Sequence, residues 1–143
     1  MELDDETHGK IEALSEEGNE LLEDGDWRGA IMKWRLALDL VPEPKSDWEA
    51  ATWLYASIGD AQYQGSDFAH AKESLYDALN CPEGQQNPFV HLRLGQTLHA
   101  LGEDKKSLDH LLQAYMLDGE DIFLLEDGGE QDLQRLRDNK LIP

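Results

Sequence analysis

The side chains that could do chemistry are few and scattered along the chain. The single cysteine, Cys81, precedes Pro82 at a predicted helix end and has no histidine organised around it, so an inert, half-buried thiol is expected. The acidic run 118–121 lacks the alternating oxygen ligands of a calcium loop, because Ile122 occupies a ligand position. No His-Glu-x-x-His, Cys-x-x-Cys or glycine-rich phosphate motif occurs. Four of the five histidines are spread over three predicted helices: His70, His91, His99 and His110. The sequence therefore predicts no enzyme, no cofactor and no metal site.

The charge of the chain restricts its partners. The 143 residues carry 31 acidic and 12 basic side chains, for a net charge of −19. Residues 1–50 alone hold 15 of the acids, whereas residues 51–100 hold only five. This balance argues against nucleic acid and against an anionic membrane. It leaves two interpretations open, a merely solvated surface or fast capture of a basic protein partner.

The sequence also predicts no secretory signal and no membrane span. The first thirty residues are acidic where a secretory signal needs a positive start and an apolar core. No apolar run approaches the roughly 20 residues of a membrane span. The lone cysteine cannot form an internal disulfide. A cytoplasmic location is the expectation.

Residues 11–42 are predicted to form a pair of amphipathic helices, and the rest of the chain is organised around this pair. Gly25 breaks the chain between the helices, and Pro42 prevents continuation of the second. Small residues at the predicted crossing, Gly18 and Ala30, let two helices approach closely. The first helix has one apolar face, formed by Leu14, Gly18, Leu21 and Leu22. The second repeats apolar residues at steps of three and four: Trp27, Ala30, Ile31, Trp34, Ala37, Leu38 and Val41.

This hairpin recurs twice. Gly59 and Gly95 correspond to Gly18, with spacings of 41 and 36 residues, and Leu75 and Leu111 correspond to Trp34. Ala71 corresponds to Ala30, although Ser107 occupies that position in the third copy. Over residues 11–119 the chain resembles tetratricopeptide-repeat proteins, whose period is about 34 residues. The resemblance implies an all-α fold of three helical hairpins, stacked as a short right-handed solenoid with a C-terminal capping helix.

The chain is predicted to be one domain over residues 1–143. An N-terminal arm or helix extension occupies residues 1–10, followed by repeats at 11–42, 47–82 and 88–119 and a cap at 120–143. Ser46 or Asp47 is expected to cap the third helix, and Asn87 the fifth. A final helix from Glu130 to Lys140 offers apolar side chains to cover the last hairpin, namely Leu133, Leu136 and Leu141.

The resemblance also predicts where a partner binds, because the first helix of each repeat lines the inner wall of such a solenoid. Exposed aromatic side chains beside a polar rim are typical of interaction hot spots. The alternative is that Trp53 and Phe89 pack beneath the N-terminal arm or a neighbouring helix. The predicted partner-binding residues are Asn19, Leu22, Glu23, Trp53, Asp60, Tyr63, Phe89, Arg93, Gln96 and His99.

One subset of the family clamps the C-terminal carboxylate of heat-shock chaperones with lysines, arginines and asparagines. Asn19 and Arg93 match that set. Ser15, Ser57 and Phe89 stand where two lysines and an asparagine would be needed. With those cations missing and an acidic first repeat, an acidic peptide tail would be repelled, and we reject this function.

The end of the third repeat suggests a narrower relationship. The stretch from Leu111 to Phe123, followed by a short acidic helix, is similar to small bacterial tetratricopeptide proteins that serve as immunity proteins in polymorphic toxin systems. This similarity implies a protein that binds and occludes a basic toxin or effector enzyme. The alternative is an adaptor or assembly factor that holds a peptide segment of a larger complex.

Overall fold

The computed structural model describes residues 2–143, which fold into helices without any strand. The helices pack in consecutive pairs, α1 on α2, α3 on α4 and α5 on α6, and α2 and α4 also contact the first helix of the next pair. Short 3₁₀ turns at Lys45–Asp47 and Gly84–Gln86 link the pairs. The bounds are α1 Asp5–Glu23, α2 Trp27–Asp39, α3 Glu49–Gln64, α4 Phe68–Leu79, α5 Pro88–Ala100, α6 Asp104–Asp118, α7 Asp121–Leu124 and α8 Gly129–Asp138. The predicted stack of three hairpins with a C-terminal cap is confirmed.

One close contact repeats in every hairpin. The Trp34 ring lies against Gly18, and a Cβ atom placed there would overlap it. A Cβ on Gly59 would lie 2.6 Å from Cγ of Leu75, and a Cβ on Gly95 would lie 2.7 Å from Cγ of Leu111. Real Cβ atoms do not approach other heavy atoms this closely, so each crossing requires glycine. The large residue of the second helix thus fills the space that the missing side chain leaves.

The small residue at the next crossing position is also buried in all three hairpins. Ala30, Ala71 and Ser107 have no solvent exposure. The departure from the pattern, Ser107, is accommodated because its hydroxyl donates a 2.6 Å hydrogen bond to the carbonyl oxygen of Gly95. A buried hydroxyl without such an acceptor would cost free energy. The serine therefore replaces alanine without leaving an unpaired group.

Local capping explains some helix ends and not others. The Asp4 carboxylate accepts a 2.7 Å hydrogen bond from the Thr7 amide, so α1 begins six residues before the repeat. Asn87 accepts from two amides at the start of α5, as predicted. At α3 the predicted cap by Ser46 or Asp47 is wrong, because those residues lie in a 3₁₀ turn. Trp48 precedes the helix there without a capping side chain.

The C-terminal segment covers the third hairpin. Phe123, Leu133 and Leu136 are almost fully buried against α5 and α6 side chains. The predicted burial of Leu141 is wrong, since Leu141 is 41% exposed and Ile142 is buried in its place. The helix ends at Asp138, and Lys140 takes a left-handed backbone with φ of 60°, so the following residues no longer follow the helical period.

Candidate partner-binding surface

The ten predicted partner-binding residues lie on the first helices of the hairpins. We call the side formed by α1, α3 and α5 the inner face. Arg93 and Gln96 are buried, at 6% and 5% exposure, because they bond within the molecule. Leu22 is half-buried and packs on the first hydrophobic core. The other half-buried residues are Asp60, Tyr63 and Phe89, and the exposed ones are Asn19, Glu23, Trp53 and His99.

Arg93 is the centre of a polar cluster that joins three parts of the chain. Its Nε donates to Oδ1 of Asp60 on α3 at 2.9 Å, and its Nη1 donates to Oε1 of Gln96 at 2.7 Å. Its Nη2 donates to Oε2 of Glu126, between α7 and α8, at 3.0 Å. The guanidinium carbon also lies 4.6 Å from the Tyr63 ring centroid and 5.1 Å from that of Phe89. We call these six residues the Arg93 cluster.

The cluster continues into the C-terminal helix. Gln96 donates a 2.8 Å hydrogen bond from Nε2 to Oδ2 of Asp132, which is buried. Burial raises the pKa of the Asp132 carboxyl, although Gln96 and Arg135 oppose that shift. Burial likewise raises the pKa of Tyr63. The side chains of Arg93 and Gln96 therefore form their hydrogen bonds within the molecule, and a partner could reach them only if the C-terminal segment moved.

Sequence reasoning missed Glu126 and Asp132. Both follow Gly119, where the repeat pattern stops, so no register places them near α5. One signal was available: an arginine on a helix as apolar as α5 needs a carboxylate partner when it is buried.

Trp53 has the opposite environment. Its side chain is 62% exposed on α3 and lies between two grooves. The first groove, of about 510 Å³, also contains Pro82 and Pro88. The second, of about 590 Å³, contains Leu3 and Trp48. We call Trp53 with these two grooves the Trp53 surface; it combines an exposed indole with flanking apolar and proline side chains.

The rims of both grooves are acidic. Glu49 lies on both, and Glu83 lies on the first. The second groove adds Glu2, Asp5 and Asp47, with His8 as its one basic side chain. An exposed indole surrounded by carboxylates can hold a cation over the ring face and pair it at the edge. This arrangement is suited to a lysine or arginine side chain.

The remaining predicted residues lie elsewhere on the inner face. Asn19 and Glu23 are exposed on α1 and make no side-chain hydrogen bond in the described structure. The Nδ1 of His99 lies 2.9 Å from Oδ1 of Asp104 at the start of α6. The structure therefore divides the predicted set into the Arg93 cluster, Trp53, and outlying residues that the fold does not bring together.

Candidate metal ligands and the single cysteine are the groups with the potential for chemistry within residues 2–143. No group of three or more histidine, cysteine, aspartate or glutamate residues there could hold a metal ion. Cys81 is buried, and burial raises the pKa of its thiol, which disfavours the nucleophilic thiolate. None of the helices described combines the length and apolar character that crossing a membrane requires.

Two histidines, one on α5 and one on α6, contact each other. Nδ1 of His91 lies 3.1 Å from Nδ1 of His110, and Nε2 of His91 lies 2.9 Å from the Gln85 carbonyl oxygen. Nε2 of His91 can donate to that carbonyl, and Nδ1 of His91 can then accept from Nδ1 of His110, an arrangement that two neutral rings satisfy. Burial lowers the pKa of His91 and that of His110, consistent with this arrangement.

Comparison with known proteins identifies the fold. No protein-family model matches the sequence, and no curated protein does. The structure is similar to that of the Arabidopsis OM64 TPR domain, with a TM-score of 0.73 and 18% identity over 93% of this chain and 98% of that chain. It is also similar to the crystal structure of MamA, with a TM-score of 0.66 and 15% identity over 92% of this chain and 81% of that one. The fold is a tetratricopeptide-repeat fold.

Proposed function

We propose that this protein is a protein-binding module whose Trp53 surface receives a basic partner. The observation that carries the proposal is the exposure of Trp53, 62%, between two acid-rimmed grooves. A large aromatic side chain left in water has no role in the core, and interaction hot spots favour tryptophan. Glu49 and Glu83 then select a partner with lysine or arginine near its apolar anchor.

The more specific form of the proposal is an immunity protein that binds and occludes a basic toxin enzyme in the cytoplasm. The net charge of −19 supports it, since it would speed association with a basic enzyme. The resemblance of residues 111–123 to small bacterial immunity proteins is itself a prediction from the sequence, and it motivates this form of the proposal. Inhibition would be stoichiometric, because binding alone would cover the toxin's substrate site and no turnover would follow.

The alternative is an adaptor that holds a peptide segment of a larger assembly. Pro82 and Pro88 beside Trp53 favour this function, because an extended segment could lie along the groove they form. Peptide capture of this kind would depend on apolar contact with Trp53. It should therefore respond weakly to salt, whereas capture of a basic enzyme by carboxylates should lose association rate as salt rises.

The contact set for either function differs from the sequence prediction. Arg93 and Gln96 serve the fold and are omitted. Trp53 stays at the centre, with Asn19, Glu23 and His99 as outlying candidates. The acids that now join it are Asp47, Glu49 and Glu83.

The test is affinity capture from native cell lysate, with the wild-type protein as bait and washes at low and at high salt. A Trp53→Ala bait is run beside a Met116→Ala bait, which truncates another exposed apolar residue, 71% exposed, outside the Trp53 surface. One basic protein, retained at a one-to-one ratio and lost at high salt and with Trp53→Ala, supports the immunity function. Several subunits or a salt-resistant peptide, also lost with Trp53→Ala, support the adaptor. Equal capture by Trp53→Ala and wild type contradicts the proposed surface.

A further inference from the structure

The outer side of α2 carries a row of exposed apolar residues. Met32, Leu36 and Leu40 are 65%, 48% and 37% exposed and follow one another at four-residue steps. Residues at this spacing lie on one helix face. The opposite side of α2 is the one that packs in the core, through Trp34 and Ala37. Three apolar side chains in one exposed row form a candidate docking face, unlike single exposed apolar residues, which are common.

Two arginines border this row without a carboxylate partner. Eight of the 12 lysines and arginines lie within 4.0 Å of a carboxylate in the described structure. Arg28 and Arg35 are exposed and do not, even though acidic residues outnumber basic ones 31 to 12. Arg28 is placed over the Trp27 ring, 5.0 Å from its centroid. This part of an acidic protein therefore presents two guanidinium groups available to an anion.

The arginines also border a groove between α2 and α4, on the side away from the row of exposed apolar residues. It measures about 250 Å³ and includes Trp27, Ile31 and both arginines. Its one acidic side chain, Asp67, accepts a hydrogen bond from His70 and does not contact either arginine. Asp39, one turn after Arg35, is the one acidic residue within α2. The two arginines are seven residues apart, so they are separated by roughly 10.5 Å along the helix axis, or two turns.

We propose that the outer side of α2 docks an acidic amphipathic helix of a second protein partner. Carboxylates two turns apart on that helix pair with Arg28 and Arg35, and its apolar side chains contact Met32 and Leu36. Charge complementarity selects this occupant, since guanidinium groups form paired hydrogen bonds with carboxylates. A second copy of this chain is disfavoured, because two α2 helices face to face would bring their arginines together. The interface is independent of the Trp53 surface and shares no residue with it.

The experiment uses the whole chain and two synthetic probes. One probe is a capped helical peptide of about 15 residues, with glutamates two turns apart and leucines beside them; the other replaces the glutamates by glutamine. Binding is followed by fluorescence anisotropy of the labelled peptide and by amide chemical-shift changes in the protein. The variant R28E/R35E reverses the proposed contacts. K105E/K140E is the matched control, because it reverses two unpaired lysines elsewhere and changes the net charge equally.

The glutamate peptide should bind wild type and K105E/K140E alike, with chemical-shift changes on α2. It should bind R28E/R35E at least tenfold more weakly, a loss of about 1.4 kcal/mol, and a lysine version of the peptide should restore binding to that variant. Equal affinity for the two variants overturns the proposal, as does a failure to bind at about 1 mM peptide. A concentration-dependent dimer that Leu36→Glu dissociates in the absence of peptide would identify a second copy as the occupant and also overturn it.

Discussion

Trp53 and Arg93 lie on the inner helices α3 and α5, and both are surrounded by aromatic rings and charged groups. Trp53 is 62% exposed, whereas Arg93 is 6% exposed. The difference comes from the C-terminal segment, which supplies Glu126 to the cluster and nothing to the tryptophan. Aromatic and charged residues on an inner helix therefore do not by themselves mark a binding surface. Whatever packs over them decides whether they serve the fold or a partner.

Arg93→Ala tests the structural side of this comparison and should have the largest effect. Removing one member of a buried ion pair leaves carboxylates without a partner and typically costs 3–5 kcal/mol. Asp60 and Glu126 keep some exposure, so we expect a loss of about 3 kcal/mol in the free energy of unfolding. Urea denaturation followed by circular dichroism measures it.

Lys106→Ala is the control, since Lys106 is 63% exposed in its ion pair with Glu103 and should change stability little. A loss no greater for Arg93→Ala than for Lys106→Ala would mean that the cluster is not needed for the fold, and Arg93 would return to the candidate binding residues.

Phe89→Ala should destabilise less, by about 2 kcal/mol. Phe89 is half-buried, packs against the core formed by the third hairpin and the C-terminal segment, and stacks with the Arg93 guanidinium. Thermal unfolding of Phe89→Ala beside Phe89→Leu checks this, because leucine retains most of the apolar volume. If Phe89→Ala leaves the melting temperature unchanged and lowers partner affinity, Phe89 belongs with Trp53 and the division of the inner face is misplaced.

Acid should lower the free energy of unfolding through the pair formed by His91 and His110. This test perturbs stability without changing any residue of the inner-face sites, so it sharpens the comparison. The folded pKa of His91 and that of His110 lie below the ordinary value of about 6.5. Above that value both states are neutral and stability is complete. As pH falls below it, the unfolded chain takes up protons that the folded chain refuses, so stability falls.

Urea denaturation between about pH 7.5 and 5.5 measures this effect, which we expect to be smaller than that of either truncation. His110→Gln should flatten the pH dependence. The control, His70→Gln, changes a largely exposed histidine and should retain it. The same pH dependence in His110→Gln as in wild type would exclude the pair as its source.

Trp53→Ala should have the smallest effect on stability, within about 0.5 kcal/mol of wild type. The side chain is mostly in water already, so truncation removes little buried surface. Affinity for the captured partner should nevertheless fall by at least about 1 kcal/mol. Titration calorimetry with that partner and thermal unfolding of the free variant measure the two quantities. A large loss of stability would show that Trp53 belongs to the core.

The repeated hairpin could be predicted because it depends on local spacing. Gly59 and Gly95 stand at fixed distances from Leu75 and Leu111 along the chain, and a helical hairpin with a short turn brings each such pair together. The cap at Asn87 was likewise predictable, since a capping side chain acts on amides two or three residues away.

Two residues whose burial differs from what the sequence pattern indicates, Arg93 and Leu141, depend on contacts that no local spacing encodes. Arg93 has the position expected of a groove residue, yet its carboxylate partners are 33 residues away in both directions along the chain. Leu141 follows the apolar spacing of the last helix, but a left-handed residue just before it redirects the chain and buries Ile142. The sequence pattern predicts neither the burial of Arg93 nor that of Ile142, because both depend on how the C-terminal segment packs.

The sequence by itself determined the helices, their pairing into three hairpins and the acidity of the surface, because these follow from periodicity, glycine placement and charge count within short stretches. The tertiary structure alone decided which inner-face residues remain accessible. Burial of Arg93 and exposure of Trp53 result from where the C-terminal segment lies, and that position depends on contacts between residues far apart in the chain.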